Sequence, residues 1–339
     1  MNPSTDPGLR PRLWLLFTAV AALSACGGAG SDAPAPAPPA GGPTDAQRSQ
    51  AATATAQSPS NACAGVAPFY WEIGDRDGSK ASGSVAAAGS ATRYDASSAM
   101  AIASASKWFY AAVVAEKRAG NLNAEDIKFL NFRSGYDNFI GCAGGQTIDA
   151  CLATPAANGS YTATSDGKFA YGGGHMQKHA SAAMGYGAMD NAALAAEYRA
   201  QLGTDLALAF SQPQPAGAMQ TTPADYALFL RKLLAGGLRL APLLGAQAVC
   251  TNPATCSAAL FAPIPANESW LYSLGHWVES DPVVGDGAFS SPGAFGFYPW
   301  IDATKAWYGL LARQVSNGAT ASAQCGRLIR KAWVAGTAQ

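Results

Sequence analysis

Between Ser104 and Lys117 the chain alternates very little. Trp108-Phe109-Tyr110-Ala111-Ala112-Val113-Val114-Ala115 is apolar on every side, so a helix there has almost no solvated face and must be buried. Lys117, Arg118 and Gly120 supply a cationic last turn and a glycine stop. Upstream, Phe69-Tyr70-Trp71-Glu72-Ile73-Gly74 reads as a strand. Asp75-Arg76-Asp77-Gly78 reads as a turn, and a second short strand follows near Gly83 to Ala86. From about residue 120 to 262 helices and loops dominate. Thr222 to Leu234 is an example, with Pro223 suited to a first helical position and a stripe of Ala227, Leu228, Leu230, Leu233 and Leu234. Strand patterns return at Trp270–Val278, Phe295–Ile301 and Trp307–Arg313, and the last element, about Ser322 to Val334, is helical. Strands at both ends with helices between predict one sheet built from the two chain ends and an inserted helical lobe.

The first 60 residues follow a different pattern. Arg10 and Arg12 precede an apolar stretch, Leu13 to Leu23, that is the length of a signal-peptide core and short for a membrane span. It ends in Leu23-Ser24-Ala25-Cys26-Gly27, which resembles a bacterial lipobox, with Cys26 as the lipidated residue. The expectation is an exported protein: an outer-membrane lipoprotein facing the periplasm or cell surface, or otherwise a periplasmic or secreted one. Residues 27–60 contain no Val, Ile, Leu or aromatic residue, and such a segment reads as a disordered tether. Residues 61–339 have the composition of a folded domain large enough for two lobes.

Ser104-Ala105-Ser106-Lys107 opens the buried helix. Three residues apart on a helix, Ser104 and Lys107 share a face. A serine hydroxyl needs an adjacent base to become a nucleophile, and a lysine whose pKa is lowered by desolvation can be that base. Ser106 is adjacent to Lys107 and points to another face. With Cys26 assigned to a lipid, six cysteines remain of seven. In an oxidising compartment pairing is expected, and the pattern favours Cys142 with Cys151 and Cys250 with Cys256 as short loops, and Cys63 with Cys325 joining the domain ends, among fifteen possible connectivities. Charge is balanced, 22 basic against 22 acidic residues, with no basic cluster, which argues against nucleic acid as a partner. His175 and His179 are four apart, the spacing of a helical metal pair, but no third ligand is evident. No metal or other cofactor is expected.

Taken together these segments resemble the serine β-lactamase and penicillin-binding-protein superfamily, in the class C-like branch with family VIII esterases, D-aminopeptidases and 6-aminohexanoate-dimer hydrolases. Ser104-Ala105-Ser106-Lys107 resembles its first motif, and Phe132-Arg133-Ser134-Gly135-Tyr136 a segment ending in Ser-Gly. Gly167-Lys168-Phe169-Ala170-Tyr171-Gly172-Gly173 is similar to its tyrosine motif. Ala216 to Tyr226 resembles the stretch entering a lobe helix, and Ser291-Pro292-Gly293-Ala294 stands where the family has a cation followed by a glycine. Ser165-Asp166-Gly167 is a rival second motif.

The resemblance implies an α/β (α+β) β-lactamase-like fold, an antiparallel sheet with flanking helices and an inserted all-helical lobe. It also implies acyl transfer by Ser104, Lys107 and Tyr171, with the backbone N–H groups of Ser104 and Ala294 as oxyanion hole and Gly173, Ser291 and Gly293 near the substrate. Two departures bear on specificity. Ser291 replaces a cation that would hold a carboxylate, and Gly173 replaces an amide side chain. Both favour a neutral small-molecule or oligomeric ester or amide. The aromatics Tyr136, Phe139, Phe295, Phe297, Tyr298 and Trp300 are candidates for an acyl pocket. The alternative is a β-lactamase or D-alanyl-D-alanine carboxypeptidase-type penicillin-binding enzyme, in which Arg313 or Lys305 would supply the missing cation.

Overall fold

A computed structural model describes residues 41–339 of the chain. The signal segment, Cys26 and the first part of the expected tether lie outside the described residues. An eight-stranded antiparallel sheet runs in the order Gly78–Val85, Phe69–Asp75, Tyr308–Ala312, Tyr298–Ile301, Phe289–Ser290, His276–Val278, Leu271–Ser273, Val249–Cys250. The N-terminal hairpin therefore joins the C-terminal strands directly, with Tyr70 opposite Ala312 and Ile73 opposite Gly309. The segment Trp270–Val278, expected as one strand, is a hairpin. Leu274 and Gly275 both take positive φ (41° and 82°), as a two-residue turn between right-twisted strands requires.

The intervening lobe carries five helices, Ala124–Leu130, Ile148–Ala153, Gly174–Ala182, Asn191–Leu202 and Pro223–Leu234. It also holds short strands, among them Phe169–Ala170 paired in parallel with Ala259–Phe261. Thr222 caps the Pro223–Leu234 helix, its hydroxyl accepting from the Asp225 N–H at 3.1 Å. All three expected cysteine pairs are joined: Cys63–Cys325, Cys142–Cys151 and Cys250–Cys256.

The expected tether is corrected as well. Part of the 27–60 tether is a helix, Asp45–Ala56, opened by a capping box in which the Thr44 N–H donates to Gln47 Oε1 (2.8 Å) and the Gln47 N–H to Thr44 Oγ1 (3.3 Å). It packs on the C-terminal helix Ala319–Ala335, burying Ala51, Ala52, Thr55 and Ala56. Arg48 Nη1 donates to the Trp333 and Val334 carbonyls (2.8 and 2.9 Å), groups left without intrahelical partners at a helix end. Composition measures what a segment buries by itself; here the apolar surface comes from the partner helix.

The helix Ser106–Lys117 lies at the centre, every residue from Ser106 to Ala115 buried. Phe109 stacks on Phe229 (3.9 Å between centroids) and Trp108 on His276 (5.4 Å). The Leu274–Gly275 turn rests on this helix so closely that a Cβ at position 275 would meet Lys107 O at 2.9 Å. Sheet and lobe thus close around the residues that precede the helix.

Candidate active site

Ser104 sits in a single helical turn, Ala103–Ala105, that leads into the buried helix. The turn is entered through Ala103 at φ 45°, a left-handed conformation costly for alanine that only tight surroundings sustain. Its first bond runs from the Ala105 N–H to Ile102 O (3.1 Å), so the Ser104 N–H lies among the groups with no intrahelical acceptor. Ser106 points elsewhere, its hydroxyl donating to Ala103 O at 2.6 Å.

Lys107 Nζ lies 2.9 Å from Ser104 Oγ and donates to the Ala216 carbonyl at 2.7 Å. The side chain is buried and makes no ion pair among the described residues. Burial without a counter-charge pulls its pKa down to about 7. The ammonium stands 4.9 Å from the centre of the Tyr171 ring. That phenol is pushed up to about 12 by burial, an effect partly offset by the neighbouring Ser104 and Trp277 side chains. At neutral pH Tyr171 is therefore a neutral phenol, while Lys107 is divided between amine and ammonium.

These groups open into a cavity of about 190 Å³. Ser104, Tyr171 and Ala294 line it, and Ile264, Trp270, Trp277, Pro292 and Ala323 give apolar walls. Glu268 and Arg327 also line it. Among the described residues Arg327 is the one cation on its wall, and it is already paired: Nη2 donates to Glu268 (2.9 Å) and Nε to Glu279 (3.1 Å).

No family model and no curated protein matches the chain. Solved structures do. A β-lactamase-type protein from Bacteroides dorei DSM 17855 superimposes with a TM-score of 0.57 at 19% identity, over 79% of this chain and 95% of that one. A D-stereospecific amidohydrolase from Streptomyces gives 0.55 at 14% identity, over 87% and 100%. EstCE1, a hydrolase with promiscuous acyltransferase activity, gives 0.57 at 11% identity, over 86% and 99%. The chain has the β-lactamase-like fold.

On this β-lactamase-like fold the expected residues divide into those that meet and those that do not. Ser104, Lys107, Tyr171 and Ala294 converge. The Ala294 N–H makes no backbone hydrogen bond among the described residues, which leaves it free as a donor. Gly293 does not line the cavity. Its role is close approach, since a Cβ there would fall 2.1 Å from Ile102 O, and only glycine lets this loop reach the Ser104 turn. Ser291 is buried and spends its hydroxyl on the Ser104 carbonyl (3.1 Å), so it braces the Ser104 turn instead of facing the cavity. Gly173 is also off the wall, and a Cβ there would meet the Phe139 ring at 2.8 Å.

The rival Ser165 is buried with its hydroxyl on Thr162 O (3.0 Å), and Asp166 pairs with Lys128 at 2.6 Å. The expected aromatic pocket is also corrected. Phe297, Tyr298 and Trp300 are core side chains, Tyr136 lines a separate groove, and neither Phe139 nor Phe295 reaches the cavity. The cavity's aromatic walls come from Tyr171, Trp270 and Trp277, whose segment reads as a single strand until the Gly275 turn is recognised. Arg313 is held by Ser322 and the Val66 carbonyl, and Lys305 stands over the Phe289 ring; neither lines the cavity. Ala216 was missed as a site residue because it contributes only a carbonyl, which carries no side-chain signal.

Proposed function

We propose that the protein is an exported serine hydrolase that cleaves neutral esters or amides through an acyl-enzyme on Ser104. The observation that carries this reading is Lys107 Nζ at 2.9 Å from Ser104 Oγ, buried without a counter-ion and lowered to about 7. As free amine, Lys107 takes the Ser104 proton while Oγ attacks the carbonyl carbon. The oxyanion that forms is met by the N–H groups of Ser104 and Ala294, each such donor worth about 3–4 kcal/mol in comparable sites. Collapse breaks the bond to the leaving group, which receives its proton from Lys107 through the neutral Tyr171 phenol. Water, deprotonated by the same pair, then releases the acid and restores Ser104.

Neutral substrates are favoured because, among the described residues lining the cavity, the one cation, Arg327, is already paired. Ser291 is uncharged and turned to the backbone, and Arg327 is neutralised by Glu268 and Glu279. A carboxylate-bearing β-lactam or D-alanyl peptide would have to compete with those two glutamates. Lipidation of Cys26 would tether the enzyme to the membrane surface, with the substrate as its other partner.

The test is a panel of p-nitrophenyl esters, amide dimers and a chromogenic cephalosporin, with fluorophosphonate labelling. Wild-type protein is expected to turn over neutral members and to be labelled, and Ser104→Ala to lose both. Efficient cephalosporin hydrolysis with neutral esters discarded would give the place to the penicillin-binding reading.

A further inference from the structure

Tyr171 reaches Ser104 from a backbone that is held at one point by two buried side chains the reaction does not otherwise use. Ser134 and His175 lie within 2.7 Å of each other, Oγ to Nδ1, and His175 Nε2 lies 2.9 Å from the Ala170 carbonyl. A carbonyl only accepts, so Nε2 carries the proton and Nδ1 accepts from the Ser134 hydroxyl. Both side chains are buried, and burial lowers the His175 pKa to about 4, which keeps this tautomer neutral at working pH. The same carbonyl belongs to the residue immediately before Tyr171.

A second set of contacts acts at the same point. The Ala170 N–H donates to Phe132 O at 3.0 Å. The Phe132 ring stacks on His175 (5.1 Å, 14°) and meets Tyr171 edge-on (5.2 Å, 77°). Phe132 itself holds φ at 54°, a conformation a bulky residue adopts only when its surroundings impose it. The segment 132–134 thus grips residues 170–171 through a peptide, a ring and a hydroxyl–imidazole pair.

We propose that Ser134 and His175 are positioning residues for Tyr171, fixing the Ala170 peptide so that the phenol stays in register with Ser104 and Lys107. The inference rests on the role given to Tyr171 above. It follows from rigidity: a proton carrier must be held to a fraction of an ångström, and displacement by about 1 Å can cost up to roughly a hundredfold in rate.

Three variants and one cycle test it in the full chain, with rates normalised to sites titrated by fluorophosphonate. His175→Phe keeps a ring over Phe132 but loses both hydrogen bonds, and kcat should fall about 10- to 100-fold with KM within about twofold. His175→Gln retains an amide N–H for Ala170 O and should recover most of that loss. Ser134→Ala, the mildest change, should lower kcat about 3- to 10-fold and keeps the test open if His175→Phe does not fold.

The deciding readout is non-additivity: in a Tyr171→Phe background, Ser134→Ala and His175→Phe should cost nothing further. An undiminished cost in that background would overturn the positioning role. So would fluorophosphonate labelling at Ser134 in Ser104→Ala, which would make the pair a second reactive centre. If Tyr171→Phe alone leaves kcat unchanged, the assignment of Tyr171 fails; if it cripples the enzyme while His175→Phe does not, the positioning inference alone fails.

Discussion

Lys107 and Arg330 are both cations in the interior, and they are treated in opposite ways. Arg330 meets Glu279 and Asp286 at 2.9 and 2.8 Å and the Tyr298 hydroxyl at 2.6 Å, and these partners hold its charge more firmly than in water. Arg327 shares Glu279 with it at 3.1 Å. Lys107 receives a hydroxyl and a carbonyl and no carboxylate. The first arrangement compensates buried charge in order to fold. The second leaves charge uncompensated, so that the group gives up its proton near neutrality and becomes a base. On the function proposed above, the difference separates a structural cation from a working one.

Replacing Lys107 is the sharpest way to break the contrast. Lys107→Met should lower kcat/KM by about 10²- to 10⁴-fold, while thermal unfolding should show little loss, since no ion pair is broken. On the proposed mechanism the reactive form in the wild type is the free amine of a lysine lowered to about 7. The rate should therefore rise as pH increases through about 7 and then level off, and a pH–rate profile that falls across that range would contradict the assignment.

Breaking the other side has the complementary effect. Glu279→Gln leaves Arg327 and Arg330 buried and short of a partner, at a cost of about 3–5 kcal/mol in denaturant unfolding. Activity per titrated site should change far less than stability. A Glu279→Gln protein that unfolds like the wild type would remove the structural half of the comparison.

A third buried cluster, in the lobe, sharpens the same point at smaller amplitude. Asp126 is pushed up by burial, but hydrogen bonds from His179 (3.0 Å) and Arg118 (2.9 Å) outweigh that and hold it well below the usual carboxylate range. A carboxylate lowered in this way contributes stability that is full above the unfolded value near 3.8 and is lost as pH falls through its lower folded value. Asp126→Asn should cost about 1.5–3 kcal/mol at pH 7 and flatten the acid limb of the stability curve. An unchanged acid limb would mean that Asp126 is not the group titrating there.

Legibility in the sequence follows the range of each interaction. The Ser104–Lys107 pair was readable because a helix places residues three apart on one face, and the capped Pro223–Leu234 helix because its signals are local. The sheet made from both chain ends was readable from alternating and continuous apolar runs. The helix at 45–56 was not, since its few buried side chains are three alanines and a threonine and its stability comes from the C-terminal helix some 280 residues away in sequence. Trp277 and Arg327 were not recognised as cavity residues because each was a regular position in a strand or helix, and only the packing of those elements turns them toward Ser104.

By itself, the sequence determined that a hydroxyl and an amine share one turn at the head of an apolar helix, and that the two chain ends supply the strands. Spacing and local hydrophobicity suffice for both. Tertiary structure decided what that amine is. Whether Lys107 is a solvated cation or a base lowered to about 7 depends on desolvation and on the absence of a nearby carboxylate among the described residues, and groups that arrive from residues 171 and 216 pack against it. A pKa is a property of the surroundings, and those surroundings exist only once distant segments have packed.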